Sequence, residues 1–283
     1  VWAFATVGVS ALTLFTAIAA EASGRVREFN TQELVNTLWA FTCVAWAQNQ
    51  VFLDLGSALA ERVDDLEDST KSQLYLVTLY VQITWPDLDF PLSVHLESFH
   101  SAYVRFQSSP SELQREVSVA LDQMGWRHRF EYATEEGFSL DLAQPESKLA
   151  IEVDGPSHYL VDAVSQERIL NGTTRFKSQL LRSFGWTVSH VAFYEWDGKS
   201  HMERCDMLME KLAHMNRTTR PQRPIRTRGG ALASADASSV LPPTQELHRS
   251  ASPHRSAPQP AAPTGCPVPE NAPAANTQKK RRR

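Results

Sequence analysis

Cysteine is nearly absent. The chain holds three, Cys43, Cys205 and Cys266, far apart and with no CxxC or Cys/His cluster beside them. That spacing suits neither a disulfide framework nor a structural zinc site, and a reducing compartment is expected. Basic charge is missing from the body of the chain. Residues 1–216 carry 16 Lys and Arg against 29 Asp and Glu, whereas residues 217–283 carry 12 against 3. A uniformly basic nucleic-acid-binding body is thereby excluded, and any polyanion must be met by local cations or by the tail. An initiator Met is also lacking: the chain opens on Val1 within a helical pattern, as the C-terminal part of a longer protein would. Charge of either sign is absent from the first 20 residues, a length that can span a bilayer.

What is present in that opening argues against a membrane. Trp2-Ala3-Phe4 recurs as Trp39-Ala40-Phe41, an offset of 37. At the same offset Phe15 matches Phe52, Ile18 matches Leu55, Ala22 matches Leu59, Val26 matches Val63 and Phe29 matches Leu66. The second copy contains Gln48, Asn49, Asp54, Glu61, Arg62 and Asp64, so it is built for water. Self-similarity of this period predicts a helical-hairpin solenoid in which neighbours bury each other's faces, and the uncharged opening becomes a buried repeat helix. Each copy reads as two helices. In the second, 32–46 and 51–66 place apolar residues at three- and four-residue spacing, with Thr31 as the expected N-cap. The spacing drifts over the helical run 72–85, WPDLDFP (85–91) interrupts it, and 92–106 reads as a last helix.

A second domain is predicted from about 107 to 216. It opens on a helix over 108–126, with Ser109 as N-cap and Pro110 in the first turn. Strands are predicted at 126–134, 137–144 and 148–154, followed by a loop and a helix over 171–185 that ends at Gly185. A strand over 186–196 and a helix over 201–215 complete an α/β domain with a mixed sheet. From Arg217 the tail holds 11 of the 16 prolines and few aromatics, and its composition predicts disorder. Its RTTRPQRPIRTRGG run and terminal KKRRR fit either non-specific phosphate binding or a solubilising tail, and KKRRR also resembles a nuclear localisation patch.

The chemistry concentrates in "IEVDGPSHY" (151–159). Glu152 and Asp154 alternate with Ile151 and Val153, so both acids share one face of a strand. If the second and third strands pair through the AQPESK turn, Asp141 meets Glu152. Three carboxylates brought together repel unless a cation, a proton or a basic side chain joins them. Oxygen ligands of this kind suit Mg²⁺ or Mn²⁺, which activates water and clamps a phosphodiester. Lys177 on the next helix is placed to reach the pocket, with Arg175 and Arg182 on its rim. The same residues also fit a structural reading, in which the acids cap a helix or pair with an Arg and His158 is a hydrogen-bonded structural histidine. Trp196 and Tyr194 fit core or rim positions, and base stacking is open to them.

Asp141-Leu142-Ala143, "IEVDGPSHY", "NGTTRFKSQLLRSFGW" and "VAFYEW" together resemble the RAP domain, the C-terminal module of the FAST kinase-like family and of many algal and apicomplexan organelle proteins. The resemblance covers about 110–213, and the N-terminal copies look like the octotricopeptide or heptatricopeptide repeats that precede such domains. It implies an organellar RNA-binding protein that stabilises, processes or matures transcripts, in the mitochondrial matrix or in a plastid such as the chloroplast. It also implies a fold similar to PD-(D/E)XK nucleases such as the very short patch repair endonuclease. On that pattern Asp141 is the first acid and Glu152 the second. Position 154, where the pattern has Lys, is Asp, so the group that orients water is missing unless Lys177 replaces it.

The expected architecture is therefore an α-helical repeat solenoid (1–106), a RAP domain of PD-(D/E)XK-like α/β fold (107–216) and a disordered Pro/Ala/Arg-rich basic tail (217–283). The expected function is binding of single-stranded organellar mRNA or rRNA, with ribonucleoprotein granules or other RNA-processing proteins as partners and no membrane. Asn30, Gln32 and Asn36 are candidates for reading bases, and His158, Arg175, Lys177 and Arg182 for further RNA contacts. The first alternative is an endoribonuclease using Mg²⁺ or Mn²⁺ on Asp141, Glu152 and Asp154, with Lys177 assisting catalysis; the second is a protein-interaction scaffold.

Overall fold

A computed structural model describes residues 1–8, 11–105, 110–162 and 165–218. These residues fall in one compact unit, Val1–Pro224. The tail from residue 219 and the expected cap Ser109 lie outside the described residues.

The first half is helical: α1 (Trp2–Thr6), α2 (Leu12–Gly24), α3 (Thr31–Cys43), α4 (Gln50–Ala60), α5 (Asp68–Thr84) and α6 (Leu96–Arg105). The cap of α3 is Asn30 rather than Thr31. Glu33 N donates to Asn30 Oδ1 at 2.9 Å while Asn30 N donates to Glu33 Oε2 at 2.8 Å. This reciprocal capping box satisfies two orphan donors, which Thr31 one residue later cannot do. Helix α3 packs on α1, α4 and α5, and α2 packs on α4. Trp39, Ala40 and Phe41 are buried accordingly. Their counterparts at the start of the chain are not: Trp2 is 51% exposed and Phe4 42%, and Val7 and Leu12 nearby are open as well. The expectation of a buried opening helix fails because α1 is one short turn that packs on α3 and on helix α8 (below) through Ala5. Among the described residues no helix is long and apolar enough to cross a membrane.

The second half builds a mixed four-stranded sheet from β1 (Arg129–Ala133), β2 (Ser139–Gln144), β3 (Leu149–Asp154) and β6 (Thr187–Ala192), in the order β1-β2-β3-β6. The first two pairings are antiparallel and β3–β6 is parallel. Helix α7 (Glu112–Gln123) starts two residues later than expected, because Ser111 caps it by accepting from Gln114 N at 3.1 Å. It covers one face of the sheet together with α10 (His201–Thr218): Ile151, Val153, Leu142 and Val191 pack with Val117, Leu121, Leu208 and Met215. Helix α8 (Gly172–Ser183) covers the other face. It is capped by Asn171, which accepts from Thr174 N at 2.8 Å, and Gly185 follows it with φ +85°, where a left-handed residue closes the helix.

Helix α8 is the joint of the molecule. Phe176, Leu180 and Leu181 share one apolar core with Ala143 and Ala150 of the sheet and with Leu34, Trp39 and Tyr80 of the helical half. The Phe176 ring meets Trp39 edge-on at 5.6 Å and Tyr80 at 6.1 Å. Gly172 permits this approach, since a Cβ there would stand 1.9 Å from the Ala5 carbonyl oxygen.

Two expectations are corrected around the joint. The segment before α8 is not a plain loop: it holds a hairpin of β4 (Tyr159–Val161) and β5 (Arg168–Leu170). Three-residue strands are too short to show a period in the sequence. The run 186–196 is not all strand. It leaves the sheet at Ala192, and one helical turn, α9 (Phe193–Trp196), follows, with Glu195 Oε2 accepting from Ala192 N at 3.0 Å.

Candidate functional site

The register of the sheet assembles the acids. Leu142 lies opposite Ile151 and Ala143 opposite Ala150, so Asp141 continues the ladder opposite Glu152 on the α8 face. Asp141 sits inside β2. Phe130 pairs with Leu142 and Tyr132 with Leu140, which puts Glu131 of β1 across from Asp141. Glu131, Asp141 and Glu152 thus form a row over three strands. Glu131 has φ +51°, a left-handed conformation that costs a non-glycine residue energy within a strand.

Lys177 enters this row from α8. Its Nζ donates to Glu152 Oε2 at 2.6 Å and to the Ser139 carbonyl at 2.9 Å. Burial pulls the ammonium pKa down, and Glu152 more than reverses the pull, so the pKa is raised and Lys177 stays charged. Burial pushes the Glu152 carboxyl up to about 7 against the attraction of Lys177. Burial also raises Asp141, against the Val153 N–H that donates to its Oδ2 at 2.6 Å. Glu131 rises by burial and by repulsion from Asp141, and accepts from Gln114 and Ser139, each at 3.2 Å. Glu152 Oε1 is buried without a hydrogen-bond partner.

Asp154 has other partners. Its side chain is 2% exposed. His190 Nδ1–H donates to its Oδ2 at 2.6 Å, Tyr159 OH donates to the same oxygen at 3.3 Å, and His158 Nδ1 stands 3.3 Å from Oδ1. His190 Nε2 shares a hydrogen bond with Ser178 Oγ at 2.9 Å, and Ser178 Oγ donates to the Thr174 carbonyl at 3.1 Å. His158 is half exposed and also shares a hydrogen bond with Thr174 Oγ1 at 3.1 Å. Asp154 therefore ties the carboxyl ends of β3 and β6 to α8.

These contacts do not fit a divalent cation. Lys177 fills the charge position beside Glu152, Asp154 is engaged elsewhere, and among the described residues no three His, Cys, Asp or Glu groups converge to hold a metal.

The remaining candidates are dispersed. Arg182 is exposed in the last turn of α8, and the Arg175 guanidinium lies across Gly8, whose φ of +70° and lack of a side chain leave room for it. Asn30 caps α3, while Gln32 Nε2 donates to Asn36 Oδ1 at 3.0 Å; all three lie far from the acidic row in sequence, on the first turns of α3. Trp196 is core: its Nε1–H donates to Glu116 at 2.8 Å and the Arg204 guanidinium lies 4.6 Å from its ring. Tyr194 is at the rim, beneath Arg168.

Glu131, His190, Ser178 and Arg168 were not singled out from the sequence. His190 reaches the site through the parallel register that sets it opposite Glu152, a long-range pairing that the local sequence does not carry.

Comparison with known proteins follows this geometry. A "RAP domain-containing protein, chloroplastic" from Oryza sativa subsp. japonica is 27% identical over 180 residues, covering 60% of this chain. The chain spans 27% of that relative's length. The RAP domain family model matches residues 151–211. From the acidic strand β3, through the hairpin, α8 and the aromatic turn, to Lys211 on α10, this chain carries a RAP domain.

Proposed function

We propose that this chain binds single-stranded RNA in an organelle and acts in the processing, maturation or stability of organellar mRNA or rRNA. In this reading the helical half is a short solenoid of 37-residue hairpins. The sheet is a PD-(D/E)XK-like module that serves as a binding platform. The observation that carries the reading lies within the RAP match. Arg168, Arg175 and Arg182 are exposed and make no ion pair among the described residues, whereas Lys177 is engaged by Glu152. Arg175 and Arg182 are seven residues apart on α8, two turns or about 10 Å, and so share a helix side. Unpaired arginines on an otherwise acidic body supply local phosphate contacts, and the basic tail adds more. The name of the rice relative favours a plastid over the mitochondrial matrix. Ribonucleoprotein granules and other RNA-processing proteins are the partners this role implies.

Fluorescence anisotropy on a labelled single-stranded RNA at rising salt tests the reading. The affinity is expected to fall steeply with salt, and the slope to shrink when residues 217–283 are removed. A salt-independent complex overturns the RNA reading, and no affinity at low salt leaves the protein-interaction scaffold.

Cleavage is the second reading, favoured by one observation: Glu152 Oε1 is buried, unpartnered and beside Asp141. A gel on end-labelled RNA with Mn²⁺ or Mg²⁺ against EDTA, for wild type and Glu152→Ala, separates the two readings. Intact, shifted RNA in every lane is expected. Metal-dependent cleavage lost in the variant promotes the nuclease.

A further inference from the structure

At the carboxyl ends of the parallel pair β3 and β6 the chain makes two short turns, Pro156–His158 after β3 and Phe193–Trp196 after β6. In open α/β sheets this is where ligands settle, because the loops diverge there and leave a crevice. Three aromatic rings meet at this edge. Tyr159 lies 5.1 Å from Tyr194 at 78° and 6.3 Å from Phe193, and Phe193 lies 5.3 Å from Tyr194 at 87°. All three are partly exposed rather than core. Arg168, on β5 of the hairpin, extends over them, with its guanidinium carbon 4.8 Å from the Tyr194 centroid and 5.8 Å from Phe193.

The arrangement has a donor face and no internal use for it. Arg168 is exposed and makes no ion pair among the described residues. The nearest carboxylate in sequence to the rings, Glu195, is held by Lys211 at 2.9 Å and by Ala192 N. A guanidinium over an aromatic ring is held by cation–π attraction, and Arg168, being exposed, keeps N–H donors open to solvent. A purine or pyrimidine can lie against the aromatic edge or the guanidinium plane as its phosphate accepts from the N–H groups.

Resting on the RNA reading above, we infer that Arg168, Tyr194, Phe193 and Tyr159 form a base-stacking step for single-stranded RNA, with Arg168 also contacting the adjoining phosphate. Tyr159 and Phe193 set the ring angles, and Tyr194 with Arg168 touches the nucleotide. The β4–β5 hairpin has a role here: it brings Arg168 across the sequence to the turn after β6. No base identity is specified, since stacking accepts every base.

The test uses the full chain and a short single-stranded oligouridylate carrying one fluorescent adenine analogue. Affinity is read by anisotropy and stacking by quenching of the analogue. Wild type is expected to bind and quench. Tyr194→Ala should weaken binding by about 5- to 150-fold, the range that one base on an aromatic ring is worth, and abolish the quenching with the salt slope unchanged. Tyr194→Phe should restore both. Arg168→Ala should weaken binding and lower the salt slope by about one, whereas Arg168→Lys should restore the slope but not the stacking. Two results overturn the inference. If wild type binds and both alanine variants bind and quench alike, the RNA reading stands and the site is wrong. If wild type does not bind at low salt, both fall.

Discussion

Replacing Lys177 with Met removes the single cation from the acidic row and leaves the shape of the side chain nearly intact. Two hydrogen bonds go with it, to Glu152 Oε2 and to the Ser139 carbonyl. Glu152 Oε1 is already unpartnered, so the variant strands a buried carboxyl with neither oxygen satisfied. Breaking a buried pair in this way costs about 3–5 kcal/mol, against a total stability on the order of 5–15 kcal/mol. The cost should depend on pH. Burial raises Glu152 from 4.5 to about 7, so its contribution to stability is complete below pH about 4.5 and is lost as pH rises to about 7. That span is on the order of 3 kcal/mol. Without Lys177 the carboxyl holds its proton to still higher pH, because only the smaller pull of His190 then opposes burial. The penalty of Lys177→Met is therefore small near pH 5, where both proteins carry a neutral Glu152, and grows towards pH 8. Urea unfolding followed by tryptophan fluorescence at both pH values measures it. The double variant Glu152→Met/Lys177→Met should recover most of the loss, because an apolar pair leaves no charge unpaired. A penalty below about 1 kcal/mol at pH 8, or one that does not change with pH, refutes the assignment of a buried ion pair.

Phe176→Ala should cost about 3–5 kcal/mol, since the ring is 1% exposed and bridges Trp39 and Tyr80; hydrogen exchange should speed up in both α8 and α3, and an effect confined to α8 would refute its role as the joint. Asn30→Ala should cost about 1 kcal/mol in a melt and Asn30→Asp close to none, because the capping oxygen is all the box requires. Burial pushes the Cys43 thiol up to about 12, so iodoacetamide should leave Cys43 unmodified in the native protein and modify it in urea, as peptide mass mapping would show.

The parts of this fold that were legible in the sequence are those whose cause is local. Ile151 and Val153 alternate with Glu152 and Asp154, and the strand they predict has its apolar side on α7 and α10 as alternation requires. Gly185 closes α8 by cap chemistry that a few residues determine, as expected, while the helix expected from 171 starts at Gly172 with Asn171 as its cap. Legibility stops where a partner lies far along the chain. Glu131 enters the acidic row through strand register, and its neighbours in WRHRFEYAT carry no sign of it. The capping positions Thr31 and Ser109 miss by one and two residues, because competing Asn, Ser and Thr side chains stand side by side and reciprocal bonds from Glu33 and Gln114 decide between them.

Asp154 shows how the two kinds of information combine. That Asp154 shares a strand face with Glu152 is legible in the sequence, but its partners are not. In the structure the carboxylate accepts from His190 of β6 and Tyr159 of β4 and faces His158 of the turn between, while His190 continues to Ser178 of α8. A lysine could accept none of these bonds. Asp154 thus fits an architecture in which the carboxyl ends of β3 and β6 are fastened to α8, and Tyr159 is held where it can meet Phe193 and Tyr194. The cation paired with Glu152 is Lys177, which reaches it from helix α8 and not from the strand. Asp154 and Lys177 therefore do separate work in this domain: Lys177 closes the acidic row from within, and Asp154 fastens the ordered aromatic edge at which the exposed Arg168 lies.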